Sequence, residues 1–425
     1  MEKLISFLNN SISPYHAVNS LEQELIKNGF KKVNEKDTWN LTKGGAYYLV
    51  KDQTSLIAFK IGNSEDNKRF NIVATHTDSP CFKIKPNGMI SNENFSVLNT
   101  EVYGGLIQSS WLDRPLGVAG RVVVKNNENY ESKIVSSDDN LLVIPNTCPH
   151  LNPEINSGFR YNPQVDLLPL FTGVDKFKNV YEYLKIENVV SSDLYVYNPA
   201  KAILIGGNKE FILSPRIDNL ECTCAGLYGF LHANNDSSIN VLACFNNEEI
   251  GSSTKQGAAS NFMVHTLRRI ISSLGYNEET YMQALNDSVI VSADNAHSVH
   301  PNHPELSDPT NKVFMNKGVV IKRNANERYT TDAISEAVII NACEKAGVPY
   351  QYYTNRSNQR GGGTLGAISS SKVSVTSVDI GLAQLAMHSS TETAGVKDYE
   401  YMEKALKAFY ESNFYKVDDN NFQIK

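Results

Sequence analysis

The run Ile239-Asn-Val-Leu-Ala-Cys-Phe245 is apolar nearly throughout, has the length of a single strand, and decides the fold class. A helical pattern over residues 219–233 precedes this run, and a second one over residues 258–274 leads to the next apolar run, Val289–Ala293. Strands that alternate with helices are typical of a parallel sheet covered by helices on both faces. The sequence therefore predicts an α/β fold whose central sheet is mostly parallel.

The same alternation extends toward both ends of the chain. Each further element is bounded by a change of periodicity or by a turn residue. In chain order these elements are two N-terminal helices, of which Pro14 opens the second, a strand over residues 70–75 that ends on His76, a helix over 331–346 stopped by Gly347, strands over 350–353 and 373–380, and a last helix over 399–410. This leaves a central segment that the alternation does not cover.

Between about residues 95 and 211 the pattern changes to many short runs of Val, Ile and Tyr, separated by Asn, Asp, Gly and Pro. Such runs predict short strands joined by turns. The clearest lie at residues 120–125, 141–145, 193–197 and 202–205. We therefore predict a β-rich domain over residues 89–212, inserted into an α/β domain that residues 1–88 and 213–425 form together.

Length and composition restrict the class of protein. A chain of 425 residues exceeds what one hydrophobic core usually serves, so two domains are expected. The net charge of -6 is mildly acidic and the Lys and Arg residues are dispersed, which argues against a nucleic acid partner. No run approaches the ~20 apolar residues that a membrane span needs, so we expect no membrane partner either.

The N-terminal stretch and the cysteines indicate the compartment. The first ten residues lack a basic start followed by a long apolar core, so they are interpreted as an amphipathic helix rather than a signal peptide. The six cysteines are few and mostly lie within apolar runs, which favours reduced thiols in the core. We therefore expect the protein in the cytoplasm.

Metal-binding residue types lie in five separated segments, most of them after a predicted strand. A two-metal hydrolase needs about one bridging carboxylate and two further ligands for each ion, together with an acid that stays free to move protons. The carboxyl ends of the strands in an α/β sheet form the crevice in which ligands bind, so distant residues can converge there. The candidates are His76, Asp218, the pair Glu248-Glu249, Asp294 and His388.

Each candidate also has a simpler explanation. His76 alone would more often be an ordinary hydrogen-bonded histidine, but the carboxylate of Asp78 can accept its second ring proton and fix the imidazole for metal binding. Asp218 could simply be the N-cap residue of the helix that follows it. Glu248 and Glu249 could be a solvated pair, although their apolar neighbours make two adjacent carboxylates costly without a cation. The order of all five segments is therefore more specific than any one of them.

Taken together, these segments resemble the aspartyl aminopeptidase family of dinuclear zinc peptidases. The likeness runs from Pro14-Tyr-His-Ala to the C-terminal helix and so covers nearly the whole chain. The motifs that carry it are His76-Thr-Asp-Ser-Pro, Ser-Pro-Arg216-Ile-Asp218-Asn, Asn-Glu248-Glu249-Ile-Gly-Ser, Ser-Ala-Asp294-Asn-Ala-His297-Ser-Val-His-Pro-Asn and Ala-Met-His388-Ser-Ser-Thr-Glu-Thr. The resemblance implies a catalytic α/β domain interrupted by a dimerisation domain, dimers assembled into a tetrahedral dodecamer, and removal of N-terminal residues from peptides.

The resemblance also implies a role for each ligand. Asp218 bridges two zinc ions per subunit, for which Mn²⁺ or Co²⁺ are possible substitutes. Each ion receives one histidine and one carboxylate besides the bridge, in a distribution that the sequence leaves open; these ligands are His76, Glu249, Asp294 and His388. Two such ions acidify water and polarise a carbonyl, and Glu248, beside a ligand, is the general base that moves the proton to the leaving amine.

Further residues are assigned around this centre. Asp78 and His150 are grouped with Glu248 as catalytic residues, and the resemblance implies that His150 enters a neighbouring subunit's active site. The predicted substrate contacts are His297, Lys322, Tyr329 and Gly362. Lys322 matches a family lysine suited to an acidic side chain, and Arg360 stands near the place where the family tends to carry Asp-Met. We therefore predict a preference for N-terminal Asp or Glu, unless Arg360 is a solvated residue.

Three other functions stay open at this point. The chain could be an aminopeptidase that prefers neutral residues, or another dinuclear amidohydrolase such as a carboxypeptidase or a deacylase. It could also be a non-catalytic scaffold that only builds an oligomeric shell. The pair Glu248-Glu249 argues against the scaffold, because a shell has no use for a buried unpaired acid.

Overall fold

The computed structural model describes residues 1–65, 68–137, 140–173 and 176–425. Its helices are α1 (Glu2–Asn10), α2 (Pro14–Lys27), α3 (Val180–Tyr183), α4 (Ile217–His232), α5 (Phe262–Ser273), α6 (Glu278–Asn286), α7 (Ala333–Ala346), α8 (Leu365–Val373) and α9 (Val396–Tyr410). Within the described residues, a helix with the length and apolar character of a membrane span is absent.

The strands form three sheets and a C-terminal hairpin. In chain order they are β1 (Lys31–Lys32), β2 (Ala46–Lys51), β3 (Ser55–Ile61), β4 (Phe70–His76), β5 (Cys81–Asn92), β6 (Phe95–Tyr103), β7 (Gly117–Asn126), β8 (Asn129–Ser136), β9 (Leu170–Gly173), β10 (Val189–Tyr197), β11 (Ile203–Ile205), β12 (Phe211–Ser214), β13 (Ile239–Phe245), β14 (Val289–Ala293), β15 (Ala296–His297), β16 (Val319–Lys322), β17 (Tyr350–Tyr353), β18 (Thr376–Gly381), β19 (Ala383–Leu385), β20 (Glu392–Gly395), β21 (Phe414–Lys416) and β22 (Phe422–Ile424).

The central sheet has nine strands in the order β1-β2-β3-β13-β4-β14-β18-β16-β17. Its middle, from β13 through β4 and β14 to β18, is parallel. Strand β3 pairs antiparallel with both β2 and β13, and β16 pairs antiparallel with β18. The predicted α/β fold is therefore confirmed, with a parallel centre inside a mixed sheet.

Helices cover both faces of this sheet. Successive side chains of a strand point to opposite faces, so β13 directs Val241 and Ala243 into one core and Leu242 and Cys244 into the other. The first core contains residues of α5, α6 and α8, and the second contains residues of α1, α2, α4, α7 and α9. Every residue of β13 is buried, which explains why its sequence is apolar at every position except Asn240 instead of alternating.

The six-stranded sheet, in the order β8-β7-β10-β5-β6-β9, is antiparallel throughout. It has a core of its own, which includes Phe82, Trp111, Val122 and Leu194. A smaller sheet with the order β11-β12-β20-β19-β15 is formed by strands that are far apart in the sequence. The chain thus contains a β-rich unit beside the helix-covered sheet.

The limits of this β-rich unit differ from the predicted segment 89–212, which also includes residues 138, 139, 174 and 175 outside the described part. The predicted start falls inside β5, because residues 81–88 belong to a strand that continues to Asn92 and pairs with β6. The predicted end includes β11 and β12, whereas β12 pairs with β20 of the C-terminal part. By strand pairing, the six-stranded sheet extends from β5 to β10.

Most predicted elements are confirmed, and two strands need correction. Residues 141–145 form no strand but only isolated bridges with Leu116 and Leu170. The strand predicted over 373–380 begins only at Thr376, because helix α8 occupies the preceding residues. Small and polar residues dominate α8, so the sequence shows no helical period there, and the helix depends on its packing against the central sheet.

Candidate metal centre

Three neighbouring strands of the central sheet deliver candidate ligands at one edge. β4 ends on His76, and its neighbours β13 and β14 are followed by the pair Glu248-Glu249 and by Asp294. These strands are parallel, so their carboxyl ends lie together. Asp218 joins them from the first turn of α4, and His388 joins them from the turn between β19 and β20.

The imidazole of His76 faces two carboxylates. Its Nε2 is 3.5 Å from Asp218 Oδ1 and 3.6 Å from Asp294 Oδ1. Its Nδ1 is 3.1 Å from the main-chain oxygen of Asp78, so a proton on Nδ1 leaves Nε2 as the ligand atom. The first half of the cluster therefore consists of His76, Asp218 and Asp294.

His388 repeats this arrangement with other partners. Its Nε2 is 3.4 Å from Asp218 Oδ2 and 3.4 Å from Glu249 Oε2. Its Nδ1 is 3.0 Å from the main-chain oxygen of Gly105, which again leaves Nε2 as the ligand atom. The side chain of His388 is 31% exposed, whereas that of His76 is 1% exposed, so the cluster opens to solvent on the His388 side.

Asp218 stands between the two histidines and presents a different carboxylate oxygen to each. Among the described residues, Asp218 Oδ1 and Glu249 Oε1 have no hydrogen-bond partner. Ligand atoms of His76, Asp218 and Glu249 lie within 4.8 Å of one another. Buried carboxylates that lack donors, combined with imidazole, suit a borderline divalent cation such as zinc. The residues present therefore fit a metal site.

The charges of the cluster shift the pKa values of its members in the metal-free protein. Burial lowers the pKa of His388, but the hydrogen bond with Asp218 and the charge of Glu249 outweigh burial and raise this pKa to about 10. Burial also opposes protonation of His76, yet the adjacent carboxylates of Asp218 and Asp294 raise its pKa well above the usual value. Protons on the two histidines thus supply positive charge that a bound cation would supply instead.

The short 3₁₀ turn Glu248–Ile250 is held by Asp78. The main-chain N–H of Glu248 donates to Asp78 Oδ1 and that of Glu249 donates to Asp78 Oδ2, each at 3.2 Å. The Asp78 carboxylate is 3.5 Å from His76 Nδ1, farther than the main-chain oxygen of the same residue at 3.1 Å. The prediction that this carboxylate accepts the ring proton of His76 is therefore corrected, and its principal contacts are with the acidic turn.

Glu248 has the environment of a proton-transfer group. Burial raises its pKa, the charge of His76 opposes this, and Asp294 and Asp78 add to it, which brings the pKa to about 8. A carboxylate whose pKa lies near neutrality exchanges protons efficiently at physiological pH. Burial and the charge of Asp218 likewise raise the pKa of Glu249 well above its usual value.

Three of the predicted substrate contacts, His297, Lys322 and Tyr329, lie together beyond the metal ligands. The ring of Tyr353 lies between two of them, with its centroid 6.1 Å from that of His297 and 6.2 Å from that of Tyr329. The Lys322 ammonium is 5.4 Å from the centre of the Tyr329 ring and donates to the main-chain oxygen of Asn295 at 2.7 Å. Lys322 is 3% exposed, so its charge is buried beside the residue that follows Asp294.

A cavity that is open to solvent lies next to this group. His297, Tyr353, Arg356 and Gln384 are among the residues that line it, whereas Lys322 is not. Arg356 is partly buried, but Arg360 is exposed and lines a different cavity. Arg356, and not the predicted Arg360, therefore supplies positive charge at this cavity.

Two predicted residues are not brought to the cluster. Gly362 lies in an exposed loop before α8, and an added Cβ there would meet no atom within 4 Å. His150 lies in an exposed turn of the segment between β8 and β9. Within the described part of the chain, no hydrogen bond or ion pair connects His150 with the candidate metal ligands.

Sequence reasoning missed the groups that support the ligands from behind. Glu392 is 2% exposed and accepts the main-chain N–H of Asp218 on Oε2 at 3.0 Å and that of His388 on Oε1 at 2.8 Å. Tyr103 donates its hydroxyl to Asp78 Oδ2 at 2.7 Å, and Gly105 accepts from His388. No periodicity or spacing marks these contacts, because they join residues from three different sheets.

A family model described as aminopeptidase I zinc metalloprotease (M18) matches residues 7–410. The chain is 44% identical over 423 residues to a protein named probable M18 family aminopeptidase 2 from Clostridium acetobutylicum, and the match covers 96% of this chain and 98% of that protein.

Two solved structures are also similar. Ape4, in a structure described as the Ape4 and Nbr1 complex, has a TM-score of 0.91 at 33% identity, covering 96% of this chain and 84% of that one. The mApe1 dodecamer of S. cerevisiae has a TM-score of 0.83 at 25% identity, covering 96% of this chain and 95% of that one. These similarities extend over both the central sheet and the six-stranded sheet of this chain.

Proposed function

Because the chain belongs to the M18 family of zinc metalloproteases of the aminopeptidase I type, and so is a peptide hydrolase, we propose that it removes single N-terminal residues from peptides by means of two zinc ions. The observation that supports two ions is the position of Asp218, which offers one carboxylate oxygen to His76 and the other to His388. A carboxylate shared in this way suits a pair of cations better than one.

The distances support one distribution of ligands. His76, Asp218 and Asp294 would hold the first ion, since Nε2 of His76 lies within 3.6 Å of both carboxylates. His388, Asp218 and Glu249 would hold the second ion, since Nε2 of His388 lies 3.4 Å from both carboxylates. Mn²⁺ or Co²⁺ can replace zinc, because oxygen and imidazole ligands bind all three ions.

When bound, two divalent ions acidify water and polarise a carbonyl. Glu248 accepts the proton of the attacking water and delivers it to the nitrogen of the leaving amine. Asp78 fixes the main chain of Glu248 and thereby the position of its carboxylate. His150 from a second copy of the chain is proposed to approach the same centre and stabilise the negative charge that develops on the substrate oxygen.

We propose a preference for acidic N-terminal residues. Lys322 and Arg356 both lie beyond the His297 side of the cluster, so this side carries positive charge. Lys322 is not among the residues that line the cavity, and its ammonium donates to the main-chain oxygen of Asn295. An acidic side chain in the cavity would therefore meet Arg356 directly and Lys322 at longer range.

The six-stranded sheet is proposed as an inserted domain that joins chains into dimers and then into a tetrahedral dodecamer. Large exposed apolar residues are frequent in this unit: Phe95 is 54%, Tyr130 63%, Leu151 80% and Val165 71% exposed. Such residues favour a protein interface. The six cysteines are free thiols, which agrees with the proposed place in the cytoplasm.

One assay tests the reaction. Aminoacyl chromogenic substrates that carry Asp, Glu, Leu or Ala are offered to the wild type before and after chelation, and metal content is measured in parallel. We expect about two metals per chain, loss of activity on chelation and recovery with Zn²⁺. Glu248→Gln should keep its metals while kcat falls about 10²–10⁴-fold. Activity that survives exhaustive chelation, or near-normal kcat in Glu248→Gln, would refute the proposed mechanism.

The same substrates test the preference. Lys322→Met should lower kcat/KM for Asp and Glu substrates more than for Leu and Ala. Lys60→Met is the matched control, because Lys60 also donates to main-chain oxygens but does so near the end of α4. If Leu is the best substrate of the wild type, or if neither Lys322→Met nor Arg356→Met lowers the acidic preference, the pocket assignment is wrong.

A further inference from the structure

Tyr103 connects the six-stranded sheet to the metal centre. It is the last residue of β6, is 7% exposed, and donates its hydroxyl to Asp78 Oδ2 at 2.7 Å. The side-chain amide of Asn247 donates to the same hydroxyl oxygen at 2.8 Å. Since Asn247 supplies a donor, the hydroxyl proton of Tyr103 is left for Asp78, and the direction of the hydrogen bond is fixed.

Asp78 links Tyr103 to the acidic turn Glu248–Ile250. Its carboxylate accepts the N–H groups of Glu248 and Glu249 in addition to the hydroxyl of Tyr103. Three donors on one fully buried carboxylate hold it in a single orientation. The positions of the proposed base and of one proposed ligand therefore depend on a side chain of the six-stranded sheet.

The residues that follow Tyr103 contact the other half of the centre. The main-chain oxygen of Gly105 lies 3.0 Å from His388 Nδ1, and the N–H of Ile107 donates to the main-chain oxygen of His388 at 2.9 Å. Gly104 has a φ of +75°, and a Cβ there would be 3.2 Å from Glu249 Cβ. The exit from β6 thus lies against both sides of the cluster with no room for a larger residue at Gly104.

We propose that Tyr103 is a positioning residue of the metal centre, which acts through Asp78 on Glu248 and Glu249 and makes the six-stranded sheet a working part of the active site. This inference rests on the proposed function for the roles of Glu248 and Glu249. It assigns to the sheet a contribution within its own chain, in addition to the proposed joining of subunits. Groups that orient metal ligands from behind typically contribute about 10–100-fold to metal affinity or activity.

The test compares Tyr103→Phe with Tyr181→Phe. Both changes remove one hydrogen-bonded hydroxyl from the same unit, but Tyr181 bonds Ser192, 2.7 Å away, and touches no residue of the centre. Zinc affinity is measured by competition with a chromophoric chelator, and thermal unfolding of the metal-free proteins is measured alongside. We expect Tyr103→Phe to weaken the less tightly held zinc about 10-fold or more and to lower kcat by a similar factor with KM nearly unchanged. Tyr181→Phe should change neither quantity.

Asn247→Asp provides a second route to the same answer. It keeps the tyrosine hydroxyl but adds a carboxylate that competes with Asp78 for its proton, so zinc affinity and kcat should again fall. If Tyr103→Phe folds and retains wild-type zinc affinity and kcat, the inference is overturned. If Tyr103→Phe does not fold, wild-type values in Asn247→Asp overturn it. Zinc affinity needs no substrate, so a wild type that binds zinc but cleaves no peptide would refute the proposed function while leaving this test decisive.

Discussion

At the scale of single residues, the metal centre is a set of charges that cannot all be present without a counter-ion. Asp218, Glu249 and Asp294 approach two histidines in a buried space. The metal-free protein resolves the conflict by holding protons, which is why the pKa values of the histidines and of Glu249 rise. Metal binding must therefore release protons and grow stronger as pH rises.

This gives a prediction for stability against pH. The pKa of His388 is raised from 6.5 to about 10 and that of Glu248 from 4.5 to about 8, both in the folded metal-free protein. A group whose pKa is higher in the folded than in the unfolded protein stabilises the fold fully at a pH below its unfolded pKa. This stabilisation is lost as the pH rises through the folded pKa. The melting temperature of the metal-free protein should therefore fall between about pH 4.5, where the loss from Glu248 begins, and about pH 10, where the loss from His388 ends. The pKa of Asp218 is lowered, so its effect on stability changes only below its usual value of 3.8, outside this pH range.

Thermal unfolding at several pH values, with and without saturating Zn²⁺, measures the effect. Zinc should raise the melting temperature most at the alkaline end. His388→Gln should show a shallower decline without metal, whereas the exposed His303 changed to Gln should not. A metal-free melting temperature that stays level or increases over this range would count against the charge balance described above.

At the scale of elements, the centre depends on how closely β18 approaches the strand that carries Asp294. Gly381 ends β18, and a Cβ at this position would be 2.0 Å from the main-chain oxygen of Asp294 and 3.0 Å from Lys322 Cε. The N–H of Asp294 also donates to the oxygen of Ile380 at 2.9 Å. A side chain at Gly381 must therefore displace a proposed ligand.

We expect Gly381→Ala to lower the free energy of unfolding by about 1–3 kcal/mol and to weaken zinc binding, because overpacking shifts backbone that has no free space. Urea unfolding of the metal-free protein and zinc titration measure the two effects. Gly207→Ala is the control, since a Cβ there would meet nothing within 4 Å. Wild-type behaviour of Gly381→Ala in both measurements would show that there is room for a side chain between Gly381 and the main chain of Asp294.

Elements were predictable where local signals are strong. Helix α7 ends at Gly347, whose φ of 63° is the left-handed conformation that glycine adopts easily, and Asp332 caps its start. Helix α8 was not predictable, because its residues Gly-Ala-Ile-Ser-Ser-Ser offer no apolar period. Helix α6, Glu278–Asn286, was also missed, although Asn277 caps it. Short helices of this kind depend on tertiary packing more than on propensity.

At the scale of the whole molecule, we propose that the active site is complete only in an oligomer. His150 is exposed, and within the described residues no hydrogen bond or ion pair links it to the centre of its own chain. If it acts in a second copy, His150→Ala and Glu248→Gln chains should each be nearly inactive. Reassembled mixed oligomers should regain activity, because some sites then receive both intact groups.

Activity after subunit exchange measures this complementation. Glu248→Gln mixed with Asp294→Asn is the control, since both groups come from the same chain and no mixed site is intact. Mixed oligomers of the first pair without recovered activity would exclude action of His150 across subunits. Recovery in the control pair would mean that the chains exchange segments rather than share sites.

The sequence by itself determined the α/β class and pointed to the candidate ligands that the structure brings together. Continuous apolar runs such as Ile239–Phe245 are required wherever both faces of a strand are covered, and this signal is local. The candidate ligands were found because parallel strands bring their carboxyl ends to one edge, whatever the distance in sequence.

Only the tertiary structure decided which groups meet. It paired His76 with Asp294 and His388 with Glu249, made the main-chain oxygen of Asp78 the nearer partner of His76, and placed Tyr103 behind the acidic turn. These are contacts between elements far apart in the chain. Their distances depend on how separate sheets pack, and packing is a property of the assembled core that no local pattern encodes.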